Sequence, residues 1–271
     1  MQGSRVEAYS LLPRVVELAV AAGESILRHY GREVHEAKLK PDQSPLTCAD
    51  LEAEAIILEG LRALDPSSPY ISEESPIPDF EVRRSWERFW LVDPLDGTKE
   101  FLKRTGEFTV NIALVERGEP LLGVVYAPAR GICYYAQKGG GAWKRGPGGE
   151  TRRVYSRPPA FDSGVTVVDS VSHPSAETER FLRGLRVKER IQIGSSLKFC
   201  LVAEGRAEIY PRFGPTMEWD TAAGDCVFRN SGREGLRRSP LTYNKPALLN
   251  EGFVIGMDGV PAAGLDPSHE K

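Results

Sequence analysis

The spacing of apolar residues changes near residue 65, and this change restricts the chain to folds that join helices to an antiparallel sheet. Apolar positions in residues 8–30 recur at helical intervals, and a second helix is predicted from Thr47 to Leu64, ended by Asp65-Pro66. Residues 108–137 instead predict three strands separated by the turn segments RGEP and ARG. The first part of the chain is therefore expected to combine two helices with a strand meander.

The second half of the chain alternates predicted strands with predicted helices. The strands VTVVDS, RIQIGS and AEIYPRF are separated by the helices SAETERFLRGL and SLKFCLVAEG, and a further helix begins at Asp220. The glycine-rich segments GGGAW and RGPGGE are expected to break the sheet pattern of the first half. Gly, Pro and charged residues collect near 145–160, which places a boundary there. We therefore predict an N-terminal α+β half, residues 1–150, and a C-terminal α/β half, residues 151–271.

Charged residues of both signs are mixed along the chain, and this limits the kinds of partner. The 271 residues are 41% hydrophobic, which is enough for a substantial core, and they carry a net charge of −3. No basic block or stripe of basic and aromatic residues suggests binding to a nucleic-acid polymer. The expected partner is a small molecule, and a small anion is compatible with this charge pattern.

The cysteines and the N-terminus predict a cytoplasmic protein. The four cysteines, Cys48, Cys133, Cys200 and Cys226, form no CxxC pair and lie in apolar or small-residue stretches, as core cysteines of a reduced protein do. The N-terminus has no uninterrupted apolar signal core, and no segment approaches the run of about 18 apolar residues that a membrane-spanning helix needs. Loose association with the inner face of a membrane is equally compatible with the sequence.

The segment WLVDPLDGTKEF, residues 90–101, carries the strongest chemical signal. An apolar strand ends at Asp93, a proline turns the chain, and Asp96 follows closely enough to share a metal ion with Asp93. Gly97 allows the backbone to approach a ligand, and a helix starting at Thr98 would direct free N–H groups towards an anion. A divalent cation such as Mg²⁺ would let the carboxylates and a phosphate group occupy one site.

Three further acidic residues lie at the ends of predicted elements: Glu73 after a short strand, Asp220 at a helix start, and Asp50 near the start of the second helix. Each also has a structural explanation. Glu73 fits a solvated loop and Asp220 fits a helix N-cap. Asp50 fits a capping box with Thr47, and the aspartates of DPLDGT fit an ordinary turn. Taken one by one, these residues leave both explanations open.

Taken together, the motifs resemble a known family. Asp50, the SEES segment (72–75), DPLDGT (93–98) and WDTAAG (219–224) follow the order and approximate spacing of the inositol-monophosphatase-like superfamily, from about residue 10 to about residue 255. The resemblance implies an α/β fold of the αβαβα type, an α+β layered sandwich in which two sheet-containing halves pack with the metal site between them. It also implies a lithium-sensitive, magnesium-dependent phosphatase.

Two further stretches resemble one branch of that superfamily. Lys99-Glu100-Phe101, and GSSLKFCLVAEG followed by IYPRFGPT, are similar to the CysQ-type 3'(2'),5'-bisphosphate nucleotidases. That branch removes the 3'-phosphate of adenosine 3',5'-bisphosphate with a metal-activated water, giving AMP and phosphate and supporting sulfate assimilation. Two alternatives are an inositol monophosphatase or other sugar-phosphate phosphatase on the same scaffold, and a metal-binding module without turnover. The second is disfavoured because every expected ligand is present.

The resemblance implies two to three magnesium ions per site, held by carboxylates and one backbone carbonyl. The first ion is assigned to Glu73, Asp93 and the Leu95 carbonyl, the second to Asp93, Asp96 and Asp220, and a third, weaker one to Glu73 and Asp50.

The resemblance also assigns roles in catalysis and substrate binding. Glu73 and Thr98 are expected to orient and deprotonate the attacking water, with Asp50 as a further catalytic residue, and the amides of Gly97 and Thr98 are expected to hold the phosphate beside Asp96. Four residues are assigned to the other phosphate of the nucleotide: His173, Ser195, Lys198 and Arg212.

Three of these four residues also have a structural explanation. Lys198 lies on an amphipathic helix, where a lysine is usually solvated. Arg212 fits a structural ion pair, and His173, in a Ser-His-Pro segment, fits a turn.

Overall fold

The computed structural model describes residues 2–30, 38–39, 45–46, 48–170, 175–235 and 237–257, and within the first of these ranges it describes side chains from residue 11 onward. Thr47 and His173, to which the sequence assigned roles, lie outside the described residues. Within these ranges, none of the helices combines the length and the apolar character that crossing a bilayer requires.

The described ranges contain seven α-helices and one 3₁₀ turn, and the helices predicted from the sequence are all present. Their bounds are α1 (Gln2–Tyr30), α2 (Cys48–Leu64), α3 (Phe80–Arg83), α4 (Thr98–Leu102), the 3₁₀ turn (Pro128–Arg130), α5 (Ala176–Arg183), α6 (Leu197–Ala203) and α7 (Glu218–Arg229).

The strands form one large sheet and several two-stranded ones. Their bounds are β1 (Lys38–Leu39), β2 (Pro45–Leu46), β3 (Tyr70–Ser72), β4 (Arg88–Asp96), β5 (Thr109–Glu116), β6 (Glu119–Ala127), β7 (Ile132–Gln137), β8 (Gly141–Arg145), β9 (Thr151–Val154), β10 (Val165–Asp169), β11 (Val187–Gln192), β12 (Tyr210–Arg212), β13 (Thr216–Met217), β14 (Leu249–Asn250) and β15 (Phe253–Ile255).

The large sheet runs in the order β3-β4-β5-β6-β7-β8-β9, with β3 parallel to β4 and every other pair antiparallel. The predicted meander over residues 108–137 is confirmed as β5, β6 and β7. The expectation that the glycine-rich segments break the sheet is wrong. Gly139 and Gly141 adopt positive φ, which lets the chain turn tightly and return as β8, and the buried Ala142 then packs into the core.

The sheet separates two hydrophobic cores, and alternate residues of β4 point into each of them. Trp90 and Val92 belong to the core that α1 and α2 cover, whereas Phe89 and Leu91 belong to the core that α6 and α7 cover. Helices therefore lie on both faces of one sheet, as the predicted layered α/β architecture requires.

The strands after residue 160 form smaller sheets beside the large one. β10 pairs with β11 in parallel, and β12 pairs with β15 in antiparallel. A single bridge from Val167 to Ile209 joins β10 to the segment before β12. One core contains residues from both sides of residue 150, such as Leu91 and Phe199. The two predicted halves thus share a core, and the division into residues 1–150 and 151–271 stays a prediction.

Three of the four cysteines are buried as predicted, namely Cys133, Cys200 and Cys226. The prediction is wrong for Cys48, which is exposed because it is the first residue of α2 and precedes the apolar face of that helix. Burial raises the pKa of the Cys133 thiol to about 12, which keeps it protonated and unreactive.

Gly123 in β6 lies where α7 packs closely against the sheet. A Cβ atom at Gly123 would lie 2.6 Å from the backbone oxygen of Ala223 and 2.6 Å from the Cβ of Cys226. We expect Gly123→Ala to push α7 off the sheet and to lower the free energy of unfolding by about 1–3 kcal/mol, the usual cost of overpacking a core. Urea denaturation followed by tryptophan fluorescence measures this change.

Gly184→Ala is the matched control. Gly184 has φ −78° and ψ −4°, which alanine adopts freely, and its added Cβ would meet the oxygen of Phe181 at 3.4 Å, an ordinary contact. Equal stability of the two variants would show that α7 is not held against Gly123 as described.

Candidate active site

A register shift in the large sheet brings Asp93 and Asp96 to the same face. Asp93 pairs with Asn111 and Asp96 pairs with Thr109, so β4 has two residues where β5 has one. In a regular strand, residues three apart point to opposite faces, and one inserted residue reverses this. Leu95 accordingly packs into the core beneath α1 and α2, while both aspartates lie on the other side.

The chain then turns into α4 through Gly97. This glycine has φ +93°, and a Cβ on it would lie 3.2 Å from the backbone oxygen of Glu107. The predicted helix from Thr98 is confirmed, although it has only five residues. The hydroxyl of Thr98 lies 3.5 Å from the carbonyl oxygen of Leu95, and the amide of Leu95 donates to Asp93 Oδ1 at 3.1 Å. This turn keeps Asp93, Leu95 and Thr98 close together.

Asp96 is held by hydrogen bonds that all reach one of its oxygens. Oδ2 accepts from the amide of Ser196 at 2.5 Å and lies 2.9 Å from the hydroxyl of the same residue. The hydroxyl of Thr109 and the side-chain amide of Asn111 each donate to it from 3.4 Å. The sequence singled out Ser195 and missed Ser196, whose only signal was its place beside Ser195.

Asp220 lies in the first turn of α7, but it is not the N-cap as the structural explanation supposed. The helix begins at Glu218, so Asp220 is its third residue, and its Oδ2 accepts from the amide of Met217 at 2.8 Å. The neighbouring Trp219 is 5% exposed and fills the core. The packing of Trp219 therefore fixes the position of Asp220.

Glu73 and Asp50 approach the same place from other elements. Glu73 follows β3, and its amide donates to the carbonyl of Val92 at 3.2 Å, immediately before Asp93. Parallel strands that end together place their following residues at one edge of the sheet. Asp50 lies in the first turn of α2 and is 1% exposed, and its partner in the capping-box explanation, Thr47, lies outside the described residues.

The mutual repulsion of these carboxylates shows that they share one region. The pKa of Asp93 lies well above its usual range, first because the group is buried and then because Glu73, Asp96, Asp220 and Asp50 repel its charge. Burial, Asp96 and Glu73 likewise raise the pKa of Asp220 well above its usual range. All five predicted acidic residues are therefore brought together.

The donor chemistry of this cluster fits a hard divalent cation. Carboxylate and carbonyl oxygens are what Mg²⁺, Mn²⁺ and Ca²⁺ prefer. Two buried oxygens beside the cluster, Ser72 Oγ and Asn111 Oδ1, have no hydrogen-bond partner. Such a lack of protein partners is expected for oxygens that contact the water shell of a bound ion. Within the described ranges, no three His, Cys, Asp or Glu side chains are arranged so that they could hold an ion together. Binding would therefore require the carboxylates to turn inward.

A cleft of about 340 Å³ opens beside the cluster. It has an acidic end and a basic end, and the basic end is built by α6 and the segment that follows it. Its lining residues that bear on the argument are Glu73, Asp96, Gly97, Thr98, Ser195, Ser196, Lys198, Tyr210, Arg212 and Asp220.

Lys198 is buried and not solvated, contrary to the structural explanation. It is 7% exposed, and its Nζ donates to the carbonyl of Ser195 at 2.6 Å. Burial lowers the pKa of its ammonium, and the negative charge of Asp96 opposes this effect. Arg212 donates to the carbonyls of Gly214 and Pro215, so its described partners include no carboxylate. Among the residues that the structure describes, neither cation forms an ion pair with a carboxylate, although the charges of Asp96, Glu100 and Asp220 act on Lys198.

Sequence reasoning missed several residues that line the cleft or touch its acidic end. Five of them stood in segments noticed for their resemblance to the family, namely Glu100, Ser196, Tyr210, Thr216 and Thr221, but nothing in those segments set them apart from packing residues. The missed residues are Glu100, Asn111, Ser170, Ser196, Tyr210, Thr216 and Thr221.

Comparisons by sequence and by structure match this chain to the same family of proteins. The model of the inositol monophosphatase family matches residues 9–266. The chain is 48% identical over 253 residues to the 3'(2'),5'-bisphosphate nucleotidase CysQ of Escherichia coli, a match that covers 91% of this chain and 100% of that protein. Nearly the whole of both chains is therefore compared.

Solved structures share the fold. The crystal structure of CysQ from Bacteroides thetaiotaomicron superposes with a TM-score of 0.76 at 40% identity, covering 90% of this chain and 96% of that one. The inositol monophosphatase of Anabaena superposes with a TM-score of 0.67 at 25% identity, covering 83% and 82%. The predicted inositol-monophosphatase-like α/β fold is thereby confirmed.

The raised pKa of the buried aspartates makes a prediction for the protein in chelator. Because the folded state binds protons that the unfolded state has released, the free energy of unfolding should fall as the pH rises from about 4 through the raised pKa values. Asp93→Asn removes one repelled charge, so at neutral pH it should stabilise the metal-free protein by on the order of 1–3 kcal/mol. Urea denaturation at several pH values measures both effects.

Asp79→Asn is the control, because Asp79 is exposed and its side chain makes no cap hydrogen bond. It should leave the stability unchanged. A loss of stability in Asp93→Asn, or a free energy of unfolding that rises between pH 4 and 7, would contradict the repulsion described here.

Proposed function

We propose that this chain, which belongs to the inositol monophosphatase family, is a metal-dependent 3'(2'),5'-bisphosphate nucleotidase. It hydrolyses the 3'-phosphate of adenosine 3',5'-bisphosphate to give AMP and phosphate, a reaction that supports sulfate assimilation. The similarity to CysQ over the full length of that protein is the observation that carries this conclusion.

The geometry of the cleft supports a substrate with two phosphates. The carboxylates at its acidic end would repel a phosphate unless a cation stands between them, so one phosphate belongs with the metal. Lys198 and Arg212 line the same cleft, and within the described part of the chain neither of them forms an ion pair with a carboxylate. A second phosphate at the basic end accounts for the presence of two cations in the cleft.

The proposed metal is Mg²⁺, with two to three ions held by Glu73, Asp93, Asp96, Asp220 and the Leu95 carbonyl, and with Asp50 near the weakest. When bound, Mg²⁺ supplies a more acidic water and neutralises charge on the phosphoryl oxygens.

The chain's own residues orient the reacting groups. Glu73 and Thr98 orient the attacking water, and its proton passes to a carboxylate, either directly to Glu73 or through the Thr98 hydroxyl to Asp50; the hydroxyl of Thr98 is kept near the site by the carbonyl of Leu95. The amides of Gly97 and Thr98 contact the phosphate, because the positive φ of Gly97 exposes the backbone there. The turn through Gly97 holds these amides and the Thr98 hydroxyl in place before the substrate arrives.

The other phosphate of the nucleotide is assigned to Ser195, Lys198 and Arg212. Ser195 is 8% exposed and has φ +54°, a turn that places its carbonyl on the Lys198 ammonium. His173, the fourth residue predicted for this role, lies outside the described residues and stays a sequence-based prediction.

Phosphate release from adenosine 3',5'-bisphosphate and from inositol 1-phosphate, side by side, tests the function. We expect release from the nucleotide to be much faster, to require Mg²⁺ and to stop in chelator. Asp93→Asn should release no phosphate, because the variant lacks a proposed metal ligand. Colorimetric phosphate detection gives both rates.

A preference for inositol 1-phosphate would keep the metal site and reject the roles of Lys198 and Arg212. Equal rates with and without chelator would reject metal dependence. Absence of release from both substrates, and from sugar phosphates, in the folded and magnesium-loaded protein would favour a binding module over an enzyme.

The variant Lys198→Ala tests whether the second phosphate of the nucleotide binds at Lys198. Removing a charged hydrogen-bond donor should raise KM for adenosine 3',5'-bisphosphate by about 10- to 100-fold. KM for adenosine 3'-phosphate, a substrate with only the phosphate that is hydrolysed, should change far less. Steady-state kinetics with both substrates measures the ratio.

Lys188→Ala, which removes an exposed lysine of β11, is the control and should leave both KM values unchanged. An equal rise for the two substrates in Lys198→Ala would show that Lys198 supports the loop at Ser195 and does not contact the second phosphate.

A further inference from the structure

The hydroxyl of Ser196 connects two of the proposed metal ligands. Its Oγ lies 2.9 Å from Asp96 Oδ2 and 2.6 Å from the backbone oxygen of Asp220. Asp96 ends a strand of the large sheet, and Asp220 belongs to α7. Ser196 is 3% exposed, so water does not compete for these contacts.

Asn111 completes the arrangement from β5. Its side-chain amide donates to Ser196 Oγ at 2.9 Å and to Asp96 Oδ2 at 3.4 Å. A hydroxyl that accepts one hydrogen bond must direct its own proton elsewhere. The proton of Ser196 is therefore directed towards Asp96 or the Asp220 carbonyl, which lie on the remaining sides.

The hydrogen bonds to Asp96 determine which of its oxygens can meet a cation. All four described donors reach Oδ2: the amide and hydroxyl of Ser196, the hydroxyl of Thr109 and the amide of Asn111. A carboxylate oxygen that is saturated with donors is a poor ligand, so Oδ1 remains for the metal. The backbone amide of Ser196 would hold Oδ2 even without the hydroxyl, so loss of the hydroxyl loosens the carboxylate without releasing it.

We propose that Ser196 is a positioning residue for metal binding: its hydroxyl, oriented by Asn111, lies between the Asp96 carboxylate and the backbone oxygen of Asp220 and shares its single proton between them, which fixes the separation of these two groups. This inference rests on the proposed function only in taking Asp96 and Asp220 as ligands of one cation. Ser196 itself contacts neither the metal nor the substrate's reacting atoms; it acts through the two aspartates.

Binding of Mn²⁺ without substrate tests the proposal. Free hydrated Mn²⁺ has an electron paramagnetic resonance signal that bound Mn²⁺ loses, so titration gives the affinity directly. We expect Ser196→Ala to weaken Mn²⁺ binding by about 10- to 100-fold, the usual effect of removing a partner of a metal ligand. Ser196→Thr keeps the hydroxyl and should bind Mn²⁺ with nearly the affinity of the unaltered protein.

Ser231→Ala is the matched control. Ser231 is also buried, and its hydroxyl donates to the carbonyl of Phe228 at 2.6 Å, just beyond the far end of α7. It should lose stability like Ser196→Ala but keep its Mn²⁺ affinity. Asn111→Ala should weaken Mn²⁺ binding in the same direction, and the double variant should lose less than the product of the two single losses, because Asn111 acts in part through Ser196 and both residues hold the same oxygen of Asp96.

Kinetics separates this role from general damage to the site. In Ser196→Ala, the Mg²⁺ concentration for half-maximal activity should rise by a similar factor, while KM for the nucleotide at saturating Mg²⁺ should stay within about twofold, since the basic end is unaltered. Unchanged Mn²⁺ affinity in Ser196→Ala, or independent losses in the Asn111 cycle, would overturn the proposal and leave the proposed function intact. Absence of Mn²⁺ binding by the unaltered protein would overturn both.

Discussion

The single residue inserted into β4 opposite β5 is the constraint on which the site depends. Without it, Asp93 and Asp96 would face opposite sides of the sheet, one of them in the apolar core beneath α1 and α2. With it, Leu95 takes the place in that core and both carboxylates face α7. The insertion is stable because the residues on either side of it are locked into long antiparallel ladders on β4 and β5. The rigidity of the large sheet is therefore a condition for placing two like charges so close together.

Placing these charges together opposes folding, and the structure offsets the repulsion only in part. Asp93, Asp96 and Asp220 each accept a hydrogen bond from a backbone amide, and Asp96 also feels the charge of Lys198. The pKa values of all three stay raised all the same, since burial outweighs these hydrogen bonds. A carboxylate cluster whose repulsion destabilises the metal-free protein has a high affinity for cations. A bound cation removes the repulsion that the fold maintains.

The sequence predicted the elements well and the side-chain environments poorly, for physical reasons. Strand and helix periods are local, so the meander and the helix at Thr98 could be predicted from neighbouring residues. The strand at Gly141 was missed because glycine was taken to end a sheet, although the same glycine makes the turn that lets the strand return. The burial of Lys198 and the role of Ser196 could not be predicted, because both depend on contacts with residues more than eighty positions away, such as Asp96 and Asn111.

The acidic and basic ends of the cleft are built on different parts of the fold. Residues proposed to hold the metal therefore lie on other elements than those proposed to select the substrate. Glu73, Asp93 and Asp96 extend from the large sheet. Lys198 and Arg212 belong to α6 and to β12, which pairs with β15 in a sheet of its own. Residues at the basic end can therefore change without disturbing the register shift that creates the metal site. Inositol monophosphatases at 25% identity share the fold, whereas the CysQ proteins at 40–48% identity share far more of the sequence.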